Sequence, residues 1–225
     1  MILQAKKPLE RRSLADGVYD ALLENILQGG LKAGTEINEV ALAQELHVSR
    51  TPVHEAVGRL LKDGLLVQEP PRRILVARFS RQDAVEIYEM RRLLESAAAQ
   101  KAVRRMSEPA IRALREEAAR LERSRGEPGW AGRALEFDLR FHDALAEAAG
   151  NRRLKADISR YRLLVRAFCR MTATPGNLEE AFQEHLTILS AIEARDAAAA
   201  ARAAGAHVEK RCAVVLSALF PEASA

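Results

Sequence analysis

The chain is poor in cysteine: Cys169 and Cys212 are the only two in 225 residues, and no CxxC spacing occurs. That excludes a disulfide framework and a thiolate metal site. Aromatic residues make up only 4%, whereas alanine, the best helix former, is abundant, so an α-rich protein is expected. No apolar run approaches the roughly 20 residues of a membrane span. The N-terminal MILQAKKPLERRS lacks the apolar core and cleavage site of a signal peptide, so the expected location is the cytoplasm, with no membrane partner. One-sided charge is missing as well. The net charge is +4, yet residues 1–79 hold 11 Lys/Arg against 10 Asp/Glu, so an argument for a polyanionic partner has to rest on where the cations sit.

What is present reads as two domains, 1–79 and 80–225. Ser13 and Asp16 form a capping-box pattern before a helix with Leu14, Val18, Leu22, Leu23 and Ile26 on one face, stopped by Gly29 and Gly30. After the turn LKAGTEI, Asn38 caps a short helix that turns Val40, Ala43 and Leu46 inward. Ser49 caps a third helix, with Pro52 in its first turn, a stripe of Val53, Ala56, Val57, Leu60 and Leu61, and Gly64 at its end. Two β-prone runs follow, Leu65 to Gln68 and Ile74 to Phe79, joined by a Pro-Pro-Arg-Arg turn. Three short helices and a hairpin make a winged helix-turn-helix. Beyond Ser80 the 3.6-residue period dominates, predicting helices near 81–105, 108–125, 131–149, 152–172, 178–194 and 197–219. The fold class is therefore mainly α: an N-terminal winged helix-turn-helix plus a C-terminal all-α helical bundle.

In such a unit the start of the third helix meets base edges, which makes Arg50, Thr51 and His54 the candidate readers of double-stranded DNA. Arg59 and Lys62 lie further along for phosphate contacts, and Arg72 and Arg73 sit at the hairpin tip. In the helical half the histidines are His142, His185 and His207, separated by 43 and 22 residues on three different predicted helices. Asp138 shares a face with His142 through i, i+4 spacing. Three imidazoles and a carboxylate make an N3O set for a divalent metal, with zinc first and nickel, manganese or iron as alternatives. A histidine beside an apolar face is also an ordinary hydrogen-bonded core residue, and spacing does not decide between the two.

The segment LAQELHVSRTPVHEAVGRLLKDGLL resembles the DNA-binding domain of the GntR family of bacterial transcription regulators nearly position by position. The stretches YEMRRLLESAAAQKAV, EFDLRFHDALAEAAGN and EHLTILSAIEARDAAAAARAAGAHVE resemble the FCD ligand-binding domain of the family's FadR-type branch. The resemblance implies a metal held by Asp138, His142, His185 and His207, an effector-facing Arg91, and a positioning role for Asn151; Arg162 and Arg166 are weaker candidates. Two positions depart from the family pattern: His54 stands where arginine is usual, and Arg73 where glycine is usual.

The expected function is a homodimeric DNA-binding regulator, a repressor, released from its operator by a small organic acid bound beside the metal. A metal sensor without organic effector is the alternative. A metal-dependent hydrolase with Glu184 or Glu136 as general base is a third reading, disfavoured because no HExxH-like arrangement is present and the winged helix would go unexplained; no enzyme is expected.

Overall fold

The structure, a computed structural model, describes residues 13–221; the segment read above for a signal peptide lies outside them except for Ser13. The chain forms two compact units, Met1–Arg78 and Phe79–Ala225. No helix among the described residues is long and apolar enough to cross a membrane.

The first unit contains α1 (Leu14–Leu27), α2 (Glu39–Glu45), α3 (Arg50–Asp63), β1 (Leu66–Glu69) and β2 (Arg73–Val76). Local chemistry sets the boundaries. The Ser13 hydroxyl accepts the Asp16 amide while the Asp16 carboxylate accepts that of Ser13, both within 3.1 Å, which satisfies two orphan donors at the start of α1. Asn38 Oδ1 accepts the amides of Val40 and Ala41. Ser49 occupies the cap position of α3, but its side chain makes no capping bond. Gly64, at φ +81°, ends the helix in the left-handed region that favours glycine.

β1 and β2 pair antiparallel from Leu66↔Val76 to Glu69↔Arg73. The second strand stops at Val76, three residues short of the predicted end. Glu36, in the segment read as a plain turn, bridges Leu75 on the open edge. Val18, Leu22 and Leu23 pack with Val53, Ala56, Val57, Leu60 and Leu66 in the buried interior. Leu14 and Val40, predicted to face inward, are 66% and 46% exposed. Both lie in the first turn of a short helix, beyond the reach of the facing stripe.

The second unit consists of α4 (Arg81–Arg105), α5 (Glu108–Arg123), α6 (Trp130–Ala148), α7 (Arg152–Met171), α8 (Pro175–Glu193) and α9 (Ala197–Leu219). Only α8 starts notably earlier than its periodicity predicts. Pro175 fits the first helical position, where no amide is needed, and Thr174 accepts the Asn177 amide. The alanine-rich run is helical, and its small residues have a packing use. Ala98, Ala99 and Ala102 of α4 and Ala200, Ala204 and Gly205 of α9 are all buried. The two helices run in opposite directions, since Gly205 faces Ser96 while Glu209 pairs with Arg92. This close seam brings His207 to the level of the α4 side chains around Glu95.

A Cβ on Gly205 would lie 3.0 Å from Ser96 Oγ, whereas one on Gly17 of α1 meets nothing within 4 Å. Gly205→Val is therefore expected to lower unfolding stability by ~1–3 kcal/mol through overpacking, and Gly17→Ala to raise it by ~0.5–1 kcal/mol through helix propensity. Urea unfolding followed by circular dichroism checks both; equal midpoints for the two variants would contradict the seam.

Candidate metal centre and nucleic-acid interface

Asp138 and His142 project from α6, His185 from α8 and His207 from α9. One donor atom from each lies within 4.8 Å of all the others. The three histidines are buried, and Asp138 is half-buried. His142 Nε2 stands 3.1 Å from His185 Nε2, and Asp138 Oδ1 stands 3.4 Å from His185 Nε2 and 3.7 Å from His142 Nε2. Two nitrogens on one tetrahedral zinc, each at the usual bond length, are separated by about 3.3 Å, so the donor set has the right size for a divalent ion.

The surroundings fix which nitrogen faces inward. His142 Nδ1 lies 2.7 Å from Glu95 Oε2, and His207 Nδ1 is hydrogen-bonded to Glu184 Oε2 at 2.8 Å. A carboxylate accepts, so the hydrogen bond to Glu184 places the proton of His207 on Nδ1 and leaves Nε2 for the cluster, and the Glu95 contact turns His142 the same way, Nδ1 outward and Nε2 inward. His185 has a different support: its ring lies against Phe141, centroids 4.7 Å apart, with Phe137 edge-on at 6.0 Å.

Each backing carboxylate is in turn held by an arginine. Arg91 Nε donates to Glu95 Oε1 at 2.8 Å, Arg162 Nη2 to Asp138 Oδ2 at 2.6 Å, and Arg211 Nη2 to Glu184 Oε1 at 3.1 Å. Burial pushes the Glu95 carboxyl up, but Arg91 and then His142 hold it well below the usual carboxylate range. For Asp138 burial acts the same way, and Arg162 with the three imidazoles outweighs it. Burial, then the neighbouring imidazole of His207, lowers His185 well below an ordinary histidine; burial and His142 do the same to His207. Neutral imidazoles and ionised carboxylates are the forms that bind metal.

A cavity opens beside the cluster, lined among others by Tyr88, Arg91, Asp138, Arg162, His207 and Arg211. The structure thus brings Arg91 to the same cavity wall as Asp138 and His207. Asn151 is not among the lining residues. Its Oδ1 is taken by the amides of Arg153 and Leu154, where it caps α7 on the exposed surface. Arg166 lines a neighbouring cleft that shares Asp138 and Arg162. The general bases of the hydrolase reading are otherwise engaged: Glu184 braces His207, and Glu136 is an exposed partner of Arg140. Sequence reasoning missed Tyr88 and Arg211 and the bracing roles of Glu95 and Glu184. The i, i+4 spacing of Arg91 and Glu95 was the available signal for one of them.

In the first unit Arg50 and Thr51 are exposed at the start of α3, with Lys62 exposed near its end and Arg72 in the hairpin turn. His54 is exposed, its Nδ1 3.1 Å from Glu39 on α2. Arg59 is engaged within the unit: it bonds Asp16 at 2.6 Å and stacks 4.2 Å over the Tyr19 ring, so its predicted phosphate contact competes with a tie between α3 and α1. Arg73 pairs across the hairpin with Glu69 at 3.1 Å.

The comparisons with known proteins agree with this division. Residues 14–76 match the bacterial regulatory proteins of the gntR family, and residues 86–210 match the FCD domain. An uncharacterised HTH-type transcriptional regulator of Bacillus subtilis, YdhC, is 28% identical over 86% of this chain and 87% of its own. The "Probable D-xylose utilization operon transcriptional repressor" of Paenarthrobacter nicotinovorans is 29% identical, covering 90% and 88%. The solved structure of McbR/YncC from E. coli superposes with a TM-score of 0.75 at 22% identity over 91% of this chain and 98% of that one, a likeness of fold. With an N-terminal gntR-type winged helix and an FCD domain over more than half of its length, the chain belongs to the FadR-type branch of the GntR family of bacterial transcription regulators.

Proposed function

We propose that this regulator is a homodimeric repressor, acting on DNA in the cytoplasm, that leaves its operator when a small organic acid binds beside a divalent metal in the helical unit. The observation that carries the proposal is the convergence of Asp138, His142, His185 and His207, each imidazole of His142 and His207 braced by a glutamate. Residues 1–79 bind DNA and residues 80–225 bind the effector and dimerise. Asp138, His142, His185 and His207 hold the metal, zinc first, with nickel, manganese or iron as alternatives. When bound, the ion supplies a Lewis-acidic position for one carboxylate oxygen of the effector. Arg91, on the cavity wall, carries a buried Nη1 without an acceptor among the described residues, and guanidinium donors suit a carboxylate.

Arg50, Thr51 and His54 at the start of α3 read bases, and Arg72 and Arg73 of the wing meet the adjacent backbone or minor groove. His54 offers a single donor where a guanidinium fork is usual in the family, so the operator read here differs in the base it prefers at that position. Two recognition helices of a dimer dock together only when spaced to half-sites one DNA turn apart, roughly 34 Å. Any effector-driven shift of that spacing lowers affinity.

Two measurements check the proposal. Metal analysis of purified protein is expected to find about one divalent ion per chain, lost in His185→Ala, while Glu184→Gln weakens metal affinity ~10–100-fold through the lost brace on His207; equal metal content and affinity in all three proteins would reject the site. Binding to the gene's own upstream DNA is expected to weaken by ~1–3 kcal/mol in Arg50→Ala. An unchanged affinity in that variant would remove α3 as the reader.

A further inference from the structure

Around the cavity, three buried donors have no acceptor among the described residues: Tyr88 Oη, Arg91 Nη1 and Arg211 Nε. Tyr88 and Arg91 are each 2% exposed, the Arg211 side chain is 12% exposed, and all three line the cavity that Asp138 and His207 also line. The Cys169 thiol beside Tyr88 is only a weak acceptor. The remaining nitrogens of Arg211 are committed to the Asn177 carbonyl, Glu180 and Glu184. A buried donor without acceptor costs ~1–3 kcal/mol, so three around one cavity point to a ligand rich in acceptors.

Their placement says how far apart those acceptors are. The antiparallel seam that sets Gly205 at Ser96 and Glu209 at Arg92 brings Arg211 and Cys212 to the level of Tyr88 and Arg91. His207 lies one helical turn away along α9, ~6 Å, at the level of the histidine cluster. The wall between is apolar, with Leu135, Leu178, Phe182, Val214 and Val215.

Charge selects the class. Arg91, Arg162 and Arg211 face Glu95, Asp138 and Glu184 in a balanced set; Glu180, the further partner of Arg211, is 67% exposed and screened by water. A divalent ion among neutral imidazoles adds two positive charges. A dianion offsets both, whereas a monoanion leaves one unmatched in a low-dielectric interior.

We propose that the cavity selects a short organic dianion, two acidic groups joined by a hydrocarbon linker, with one group at the histidine cluster and the other at the level of Tyr88 Oη, Arg91 Nη1 and Arg211 Nε, where Tyr88 and Arg211 hold it. This rests on the effector reading above and adds Tyr88 and Arg211 as specificity-determining residues. The test is calorimetric titration of the zinc-loaded full chain with malonate, succinate and glutarate against propanoate, butanoate and pentanoate. The best diacid is expected to bind at least ~tenfold tighter than its monoacid counterpart, which corresponds to about 1.4 kcal/mol. At saturating zinc, Tyr88→Phe and Arg211→Lys are each expected to remove most of that ratio, Tyr88→Phe with monoacid affinity and zinc content unchanged, since Tyr88 supports no member of the histidine cluster. Equal affinity for diacids and monoacids in the unsubstituted chain would overturn the dianion assignment and leave the effector reading standing. A preference retained in full by both variants would overturn the roles of Tyr88 and Arg211. Absence of binding by any of the six acids would overturn this inference and the carboxylate-effector reading together, with zinc content alone then testing the metal site.

Discussion

Every ionised group buried in the helical unit has to be matched, and the architecture of the candidate site follows from that requirement. Isolated charges in a protein interior cost several kcal/mol each, and removing one member of a buried pair leaves the other uncompensated. Here the matching runs in three chains: Arg91 to Glu95 to His142, Arg211 to Glu184 to His207, and Arg162 to Asp138. Each chain begins with an arginine on the cavity wall and ends at a group of the cluster. A ligand that engages one of these arginines therefore acts, through one carboxylate, on the orientation of an imidazole. The same arrangement makes the cavity and the histidine cluster one electrostatic unit.

The helices that carry these chains meet because of small residues. Ala99, Ala102, Ala200, Ala204 and Gly205 let α4 and α9 approach closely, which puts Glu95 and His207 on adjoining faces. The alanine bias of the last helix, which from composition alone resembles a linker, is thus what allows side chains from α4, α6, α8 and α9 to converge.

Much of this was legible beforehand. The periodicity of α4 to α9 located all six helices because their apolar stripes are long and their breaks are marked by Gly, Pro and Asn. The four-residue spacing of Asp138 and His142 placed them on one face. Which side chains brace them was not legible: Glu184 adjoins His185 in sequence but turns about 100° around the helix and reaches His207, and Arg211 meets Glu184 only through the α8–α9 packing. Asn151 serves as the cap of α7, the first use of an asparagine before a helix. Leu14 and Val40 misled because in the first turn of a helix a single period leaves the exact edge of the buried face open, and the tie of Arg59 to Tyr19 and Asp16 was not legible because it depends on the packing of α3 on α1.

The proposed regulation requires that ligand binding in the helical unit and DNA binding by the winged helix be thermodynamically linked. Linkage is reciprocal: the factor by which an acid weakens DNA binding must equal the factor by which DNA weakens acid binding. The most direct measurement is the operator affinity of the metal-loaded protein across a titration of organic acid, paired with the acid affinity of free and operator-bound protein. The proposed linkage predicts a loss of operator affinity that saturates with acid, vanishes with chelator, and is matched by an equal loss of acid affinity on the operator. An operator affinity indifferent to acid, with and without chelator, would contradict it.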